Sequence, residues 1–258
     1  MKQLYVCEDS IMGIYSAIYD AWKESRVEGD NGIRLIGQFE GELFCEYHIV
    51  EETTHKAMAV EAMMKKHIGL DAYWDIYHAL MSPAPDRADA VLGVMQTART
   101  LQDPRKVMQF LSHPKVERVF ELSRMVANEA HFFVEFLRFR ELENGILFSE
   151  ITPKSQVLTC IADHFANRFP LENWMIYDKT HQTYLVHESR KHWIQVLGED
   201  LNLEAINHVS RAEQEYASLW KAFCRTIAIE ERKNLKLQRN NLPLHFRRDM
   251  LEFQAGSR

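Results

Sequence analysis

Apolar residues recur every three or four positions along most of the first 112 residues, and this period predicts helices. A short strand is predicted at Leu4–Cys7, and helical spacing then runs from Ile11 to Trp22. A second strand is predicted at Phe44–Val50, and the glycines at 29, 32, 37 and 41 mark a loop region before it. Further helical stretches follow at Thr53–Ile68, Leu70–Met81, Asp86–Leu101 and Lys106–Leu111. Region 1–112 is therefore expected to be mostly helical.

The period changes after a further predicted helix at Pro114–Ala130. A helix through Phe132–Leu142 would bury arginine and phenylalanine alike on all sides, whereas a strand there meets Asn144-Gly145. Asn-Gly between apolar runs is the strongest short signal for a hairpin turn. We therefore predict that Phe132–Leu142 pairs with Ile146–Ile151 as a β-hairpin.

In the rest of region 113–258, stretches with helical spacing of apolar residues alternate with stretches that have the period of strands. A helix is predicted at Thr152–Phe169, and three short strands at Trp174–Tyr177, Thr183–His187 and His192–Val196. The last third is helical again, with an apolar stripe before Pro243 formed by Tyr216, Leu219, Trp220, Phe223 and Ile227. The pattern predicts an α+β fold: a mostly helical N-terminal part (1–112), then a region (113–258) with a central antiparallel sheet, a crossing helix and a helical C-terminal part.

Composition narrows the class of protein. With 258 residues, of which 46% are hydrophobic, the chain can bury a full core, and no apolar run approaches the roughly 18 residues of a membrane-spanning helix. Its start lacks the basic-then-apolar order of a secretory signal, so a cytoplasmic location is expected. The cysteines at 7, 45, 160 and 224 are scattered singly, which indicates neither a zinc ribbon nor a disulfide framework.

Familiar catalytic motifs are missing from the sequence. Neither Gly-x-x-x-x-Gly-Lys, Gly-x-Gly-x-x-Gly nor Gly-x-Ser-x-Gly occurs. Glycine-rich phosphate-binding loops and serine nucleophiles of those kinds are therefore not indicated. No zinc-protease or zinc-deaminase spacing is found among the histidines. His131 and Glu135 would share a helix face as two ligands, but on a strand they lie too far apart for one ion. We predict no metal site and no cofactor for this chain.

Charge is distributed unevenly along the chain, although the formal net charge is −6. Residues 1–60 carry 5 Lys and Arg against 11 Asp and Glu, whereas Arg232–Arg248 carries six basic residues and no acidic one. A basic end on an acidic chain is compatible with a polyanionic partner, and a solvated helix end is an equally common cause.

Two arginines in the predicted hairpin are the second basic feature. Arg138 and Arg140 lie two apart on a strand, so they project from one face and could contact successive phosphates; the alternative is that they pair with nearby glutamates. Arg190-Lys191 is a weaker positive site. Trp174, Trp193 and Trp220 could stack on bases, although such residues are more often core. The candidate nucleic-acid-binding residues are Arg138, Arg140, Lys233, Lys236, Arg239, Arg247 and Arg248.

Several stretches carry a family resemblance, in the same order along nearly the whole chain. They are Tyr5-Val6-Cys7-Glu8-Asp9-Ser10 with Gly13, Ala17 to Trp22, Arg138 to Gly145 with Ile151-x-Pro153, His164-Phe165-x-x-Arg168-Phe169, Trp174-x-Ile176-x-Asp178, and Glu231-Arg232-x-Asn234-x-Lys236-Leu237-Gln238 with Pro243. Together they resemble a bacterial family of DNA metabolism proteins, a domain of unknown function.

The resemblance implies a gene neighbourhood shared with a radical-SAM protein that modifies or repairs DNA, and in some relatives a fusion to a uracil-DNA-glycosylase-like domain. This sequence has neither that domain nor a Cys-x-x-x-Cys-x-x-Cys motif, so radical chemistry would belong to a partner. The leading hypothesis is an accessory protein that binds DNA for such a partner. The alternatives are an enzyme acting on a damaged nucleotide through Asp178, His164 and Arg168, and a protein-interaction module without nucleic acid.

Overall fold

A computed structural model describes residues 2–24, 31–198, 208–227 and 234–253. The chain forms two compact units, Met1–Ala127 and Asn128–Arg258. The sequence pattern placed the division between residues 112 and 113. In the structure it falls inside one long helix, which spans Pro114–Phe136.

The first unit contains a three-stranded parallel sheet. Its strands are β1 (Lys2–Cys7), β2 (Asn31–Leu35) and β3 (Cys45–Ile49), in the order β2-β1-β3. Its helices are α1 (Ile11–Glu24), α2 (Thr54–His67), α3 (Gly69–Leu80) and α4 (Arg87–Thr100), with a 3₁₀ turn at Pro104–Gln109. The start of α5 (Pro114–Phe136) completes the unit. The predicted strands and helices of this region are present, within a few residues at each end.

Strand β2 is the element that the sequence pattern missed. Its glycine at position 32 favours a loop, yet a Cβ there would lie 2.7 Å from Asp89 Oδ1. The backbone N–H of Ile33 donates to that same oxygen at 3.1 Å. Glycine therefore permits a close approach between β2 and α4 rather than marking a turn.

The second unit is built on a five-stranded sheet of order β4-β5-β6-β7-β8. Its strands are β4 (Arg140–Glu141), β5 (Leu147–Ile151), β6 (Trp174–Asp178), β7 (Thr183–His187) and β8 (Ile194–Leu197). Helix α6 (Leu158–Arg168) connects β5 to β6, and α7 (Arg211–Thr226) and α8 (Leu235–Asn241) follow the sheet. Two short 3₁₀ turns, Phe246–Asp249 and Leu251–Phe253, end the described chain.

The predicted α+β fold is confirmed, with one change of pairing. Three of the four neighbouring strand pairs are antiparallel as expected, whereas β5 and β6 run parallel. A helical crossover between those strands makes this possible, because α6 carries the chain back to the starting edge.

The predicted hairpin is much shorter than expected. Its turn is correct, since Gly145 has φ +78° and the backbone N–H of Leu142 donates to the Ile146 carbonyl at 2.9 Å. Its first strand contains only Arg140 and Glu141, because α5 continues to Phe136. The strand prediction for Phe132–Phe136 is therefore wrong.

The phenylalanines of α5 have a partner that the local pattern does not reveal. Phe132 and Phe133 pack against Phe246, with ring centroids 5.0 and 4.9 Å apart, and Phe136 stacks on Phe132 at 6.0 Å. A residue more than a hundred positions away thus covers the aromatic face that made a helix look unfavourable.

Candidate nucleic-acid interface

A cavity of about 370 Å³ lies in the second unit, between the hairpin, helix α7 and the C-terminal 3₁₀ turns. Residues 138–140, which lead from α5 into β4, contribute to the lining together with residues 148–150 of β5. Helix α7 contributes Glu213, Tyr216, Ala217 and Trp220. The end of β6 contributes Lys179, and the 3₁₀ turns contribute Arg248, Asp249 and Glu252. A volume in the range of about 300–1,000 Å³ is typical of small-molecule sites.

Backbone hydrogen bonds fix α7 against the hairpin. The N–H of Ser210 donates to the Glu141 carbonyl at 3.0 Å, and the N–H of Glu143 donates to the His208 carbonyl at 3.0 Å. Ser210 also caps α7, because its side chain accepts from the backbone N–H of Glu213. The helix therefore begins at a fixed point beside β4.

Three of the predicted cations meet at this cavity. Arg138, Arg140 and Arg248 all line it, together with Lys179, which the sequence analysis did not select. Lys179 follows strand β6 as a single lysine, and no pattern in the sequence marks it. Arg138, Lys179 and Arg248 are exposed, whereas Arg140 is half-buried.

The two hairpin arginines have different surroundings. Arg138 does not lie on the predicted strand but just after α5, where its guanidinium donates to the carbonyls of Glu135 and Leu137 at 3.3 Å. It therefore helps to terminate α5 while keeping its charge. Arg140 lies 3.4 Å from the Glu150 carboxylate and 5.1 Å from the Phe148 ring centroid, so the expected alternative of a cross-strand ion pair holds for Arg140.

Aromatic side chains line the same space. Tyr216 and Trp220 are one turn apart on α7 and are 69% and 41% exposed. Phe139 lines the cavity between the two arginines and packs against Phe165 at 5.4 Å. Exposed aromatic faces beside cations are the composition of surfaces that bind single-stranded nucleic acid.

Carboxylates balance the cations within the lining. Glu150, Glu213, Asp249 and Glu252 face the four cations, so the formal charge of the lining is close to zero. Asp249 pairs with Lys179 at 2.5 Å, and Glu150 pairs with Arg140. Among the described residues, no carboxylate lies within ion-pair distance of Arg138 or Arg248, so these two guanidinium groups carry the uncompensated positive charge.

Two polar atoms of the lining residues have no hydrogen-bond partner among the residues that the structure describes. They are Nε of Arg140 and Oε2 of Glu252, and both atoms are shielded from solvent. A buried polar group without a partner costs about 1–3 kcal/mol. Because both atoms are shielded from solvent, a molecule in the cavity could contact them only after the two side chains rearrange.

The other predicted cations do not line the cavity. Lys236 and Arg239 are exposed on α8, and Arg247 donates to the carbonyls of Leu242 and Gln238 at 3.2 and 3.1 Å. Arg247 also lies over the Phe253 ring at 4.8 Å, so it holds the C-terminal turns together. Lys233 lies outside the described residues.

The three tryptophans that were candidates for stacking on bases lie in different environments. Trp220 lines the cavity, whereas Trp174 is buried and stacks on His187 at 4.9 Å. Trp193 donates its Nε1–H to Asp163 at 2.8 Å. Only Trp220 of the three therefore offers a face to this site.

The residues proposed for an enzymatic pocket do not converge on the cavity. Asp178 is buried and accepts from the backbone N–H groups of Thr180 and His181 and lies 2.6 Å from His181 Nδ1. His164 and Arg168 are exposed on α6, and none of the three lines the cavity. Asp178 thus organises the turn after β6.

The possible ligand pair His131 and Glu135 lies on helix α5 rather than on a strand, with 3.0 Å between Nε2 and Oε1. Over the described ranges of the chain, no group of three or more His, Cys, Asp or Glu side chains is placed to hold a metal ion. The helices of that same part of the chain include none long and apolar enough to cross a bilayer.

The N-terminal motif is explained by local structure in the first unit. Ser10 accepts from the N–H of Gly13 at 2.8 Å and donates to Glu52 at 2.7 Å, so it caps α1. A Cβ at Gly13 would lie 2.6 Å from the Glu8 carbonyl oxygen, which excludes a larger residue. Asp9 pairs with the buried Arg87.

Fold and cavity together define an α+β domain with a candidate ligand-binding site of cations, carboxylates and aromatic side chains. Residues 85–252 match the family described as a domain of unknown function, DUF4130, which covers more than half of the chain. The chain therefore belongs to this family, and every residue of the cavity lies inside the matched region. A search of curated proteins finds no match.

Proposed function

We propose that this chain binds DNA at the cavity of the second unit and acts as an accessory protein in DNA repair or modification, together with a radical-SAM partner in the cytoplasm. One observation carries the proposal of DNA binding. Arg138 and Arg248, which are far apart in sequence, line one cavity with the exposed aromatic residues Tyr216 and Trp220. Cations neutralise phosphates and aromatic faces stack on unpaired bases, so the combination favours single-stranded DNA.

The charge balance of the lining sets the expected salt dependence. Two uncompensated guanidinium groups correspond to about two phosphate contacts, which gives a slope of log affinity against log salt of about −1.4 for a single strand. Lys236 and Arg239, exposed on α8, would make the slope steeper if the strand also contacted them. The slope thus reports how many of the predicted cations contact DNA.

The test is a salt titration of binding to labelled single-stranded and double-stranded oligonucleotides. The double variant Arg138→Glu and Arg248→Glu is expected to lose most of its affinity for DNA. Its slope of log affinity against log salt should also be flatter. Lys66→Glu, at an exposed lysine of α2 in the first unit, is the matched control and should change neither. Absence of salt-sensitive binding to any strand would overturn the proposal.

An apolar stripe favours a protein partner as a second candidate function. Leu219, Phe223 and Ile227 of the α7 region are 65%, 53% and 58% exposed. Large apolar side chains clustered on one exposed surface mark protein–protein contact sites. The radical-SAM protein that the resemblance implies is the partner we propose for this stripe.

Affinity purification from native cells tests the partner. The radical-SAM protein is expected to co-purify with the native chain and to be lost with Leu219→Asp and Ile227→Asp, while DNA binding is retained. Recovery of that protein together with a complete lack of DNA binding would select the interaction module over the DNA-binding protein.

A further inference from the structure

The cavity differs from a simple phosphate-binding groove in its charge. A phosphate group offers only acceptors and negative charge, and inside this cavity it would meet Glu150, Glu213 and Glu252 as well as the cations. Such a lining suits a ligand that carries both donors and acceptors and has little charge of its own.

Flat apolar faces are the second property of the lining. Tyr216 and Trp220 both extend from α7 into the lining, and Phe139 lies in the lining on the hairpin side. Trp220 also packs against Phe223, with 5.9 Å between centroids, which supports its position on the helix. Aromatic residues on two sides of one cavity can stack on the faces of a planar ring.

Hydrogen-bonding groups of both kinds are the third property. The Arg140 guanidinium donates, and the carboxylates of Glu213 and Glu252 accept. The edges of nucleobases present adjacent donors and acceptors, and arginine and carboxylate side chains are common partners for them. A phosphate could use only the donors.

We propose that the cavity is a nucleobase pocket, which takes one unstacked base and stacks it on Trp220 and Tyr216. The inference rests on the proposed function, since it names the part of the DNA that enters the cavity. Arg140 and the lining carboxylates read the polar edge of the base. Arg138 and Arg248, which are exposed, neutralise the phosphates on either side of the bound nucleotide.

The test compares two labelled strands of equal length, one with natural bases and one abasic at every position. Both carry the same phosphates, so their salt slopes should agree, while the abasic strand should bind about 5- to 100-fold more weakly because stacking is lost. Trp220→Ala is expected to lower the affinity for the natural strand towards that of the abasic strand. Trp74→Ala, at a tryptophan of α3 in the first unit that is 51% exposed, is the matched control and should not.

The outcomes separate the two proposals. Equal affinity of the two strands, or an unchanged preference in Trp220→Ala, overturns the nucleobase pocket and leaves DNA binding intact. Failure of both strands to bind overturns DNA binding, and a saturation-transfer NMR titration with deoxyadenosine then decides the pocket. A signal that Trp220→Ala removes would support a pocket that binds a free nucleoside. If deoxyadenosine gives no signal, the nucleobase pocket is overturned as well.

Discussion

The ammonium group of Lys179 lies 2.5 Å from one carboxylate oxygen of Asp249, and Thr152 Oγ1 donates to the other oxygen at 3.1 Å. These contacts join the ends of β5 and β6 to the C-terminal 3₁₀ turn. Asp249 is adjacent to Arg248, so the carboxylate fixes the segment that carries one of the two uncompensated cations.

Asp249→Asn is expected to loosen the C-terminal turns without removing a cation. Loss of the charged hydrogen bonds should lower the free energy of unfolding by about 1–3 kcal/mol and increase proteolysis at Arg247 and Arg248. The DNA binding that we propose should weaken because Arg248 is no longer held in place. Limited proteolysis and denaturant titration measure these effects.

Glu143→Gln, at an exposed position of the hairpin turn, is the control for this change. A stable, protease-resistant Asp249→Asn variant would show that the contact does not anchor the segment.

Local sequence chemistry was sufficient for much of the fold. Asn144-Gly145 identified the turn, and the stripe through Tyr216 and Trp220 identified α7, because turns and amphipathic helices depend on neighbouring residues. The predicted length of α5 was wrong because Phe246, which is distant in sequence, covers Phe132.

The residues of the cavity were harder to predict from the sequence than the fold was. The basic segment was selected by its charge, and charge does not distinguish Arg248 in the cavity from Arg247 on backbone carbonyls. The hairpin arginines were selected by their spacing on a predicted strand, and only Arg140 of the two lies on the observed strand. Lys179 carried no signal, since its role arises from the position of β6 beside β5. Carboxylates of the lining, such as Glu252, become relevant only when the chain is folded.

Glu129 is expected to be essential for the loop after β5. Its buried carboxylate accepts from the backbone N–H groups of Lys154 and Ser155 at 2.7 and 3.0 Å. Glu129→Gln replaces one acceptor by a donor, so the free energy of unfolding should fall by about 1–3 kcal/mol, as read by denaturant titration. Glu135→Gln, exposed on the same helix, should have little effect, and equal stability of both variants would contradict this role.

Stability is expected to fall as the pH is lowered from 7 to 5. Burial lowers the pKa of His245 below its ordinary value of 6.5, although Glu129 opposes the shift. The unfolded chain then binds the proton at a higher pH than the folded chain, so stability is present above pH 6.5 and is lost as the pH falls below it. Burial lowers the pKa of His78 in the first unit in the same direction.

Urea titrations at pH 7, 6 and 5 measure this dependence. His245→Gln should reduce the loss of stability on acidification, and His131→Gln, at an exposed histidine, is the control. An identical pH dependence in the native chain and His245→Gln would contradict the assignment.

Two thiols are expected to resist alkylation. Burial raises the pKa of Cys7 to about 12 and that of Cys160 to about 11, so little thiolate forms at pH 8. Mass spectrometry after iodoacetamide treatment of the native chain should find both unmodified, and all four cysteines modified after denaturation. Rapid modification of Cys7 in the native chain would show that the end of β1 opens readily.

The parallel pairing of β5 with β6 has a consequence for the order of folding. Hairpins such as β6–β7 can close from their own turns, whereas β5 finds β6 only after α6 has crossed between them, and such non-local pairing is slow. Phe148 and Glu150 belong to β5, and Lys179 follows β6. We therefore expect the cavity to be assembled late in folding, so that its appearance marks completion of the sheet.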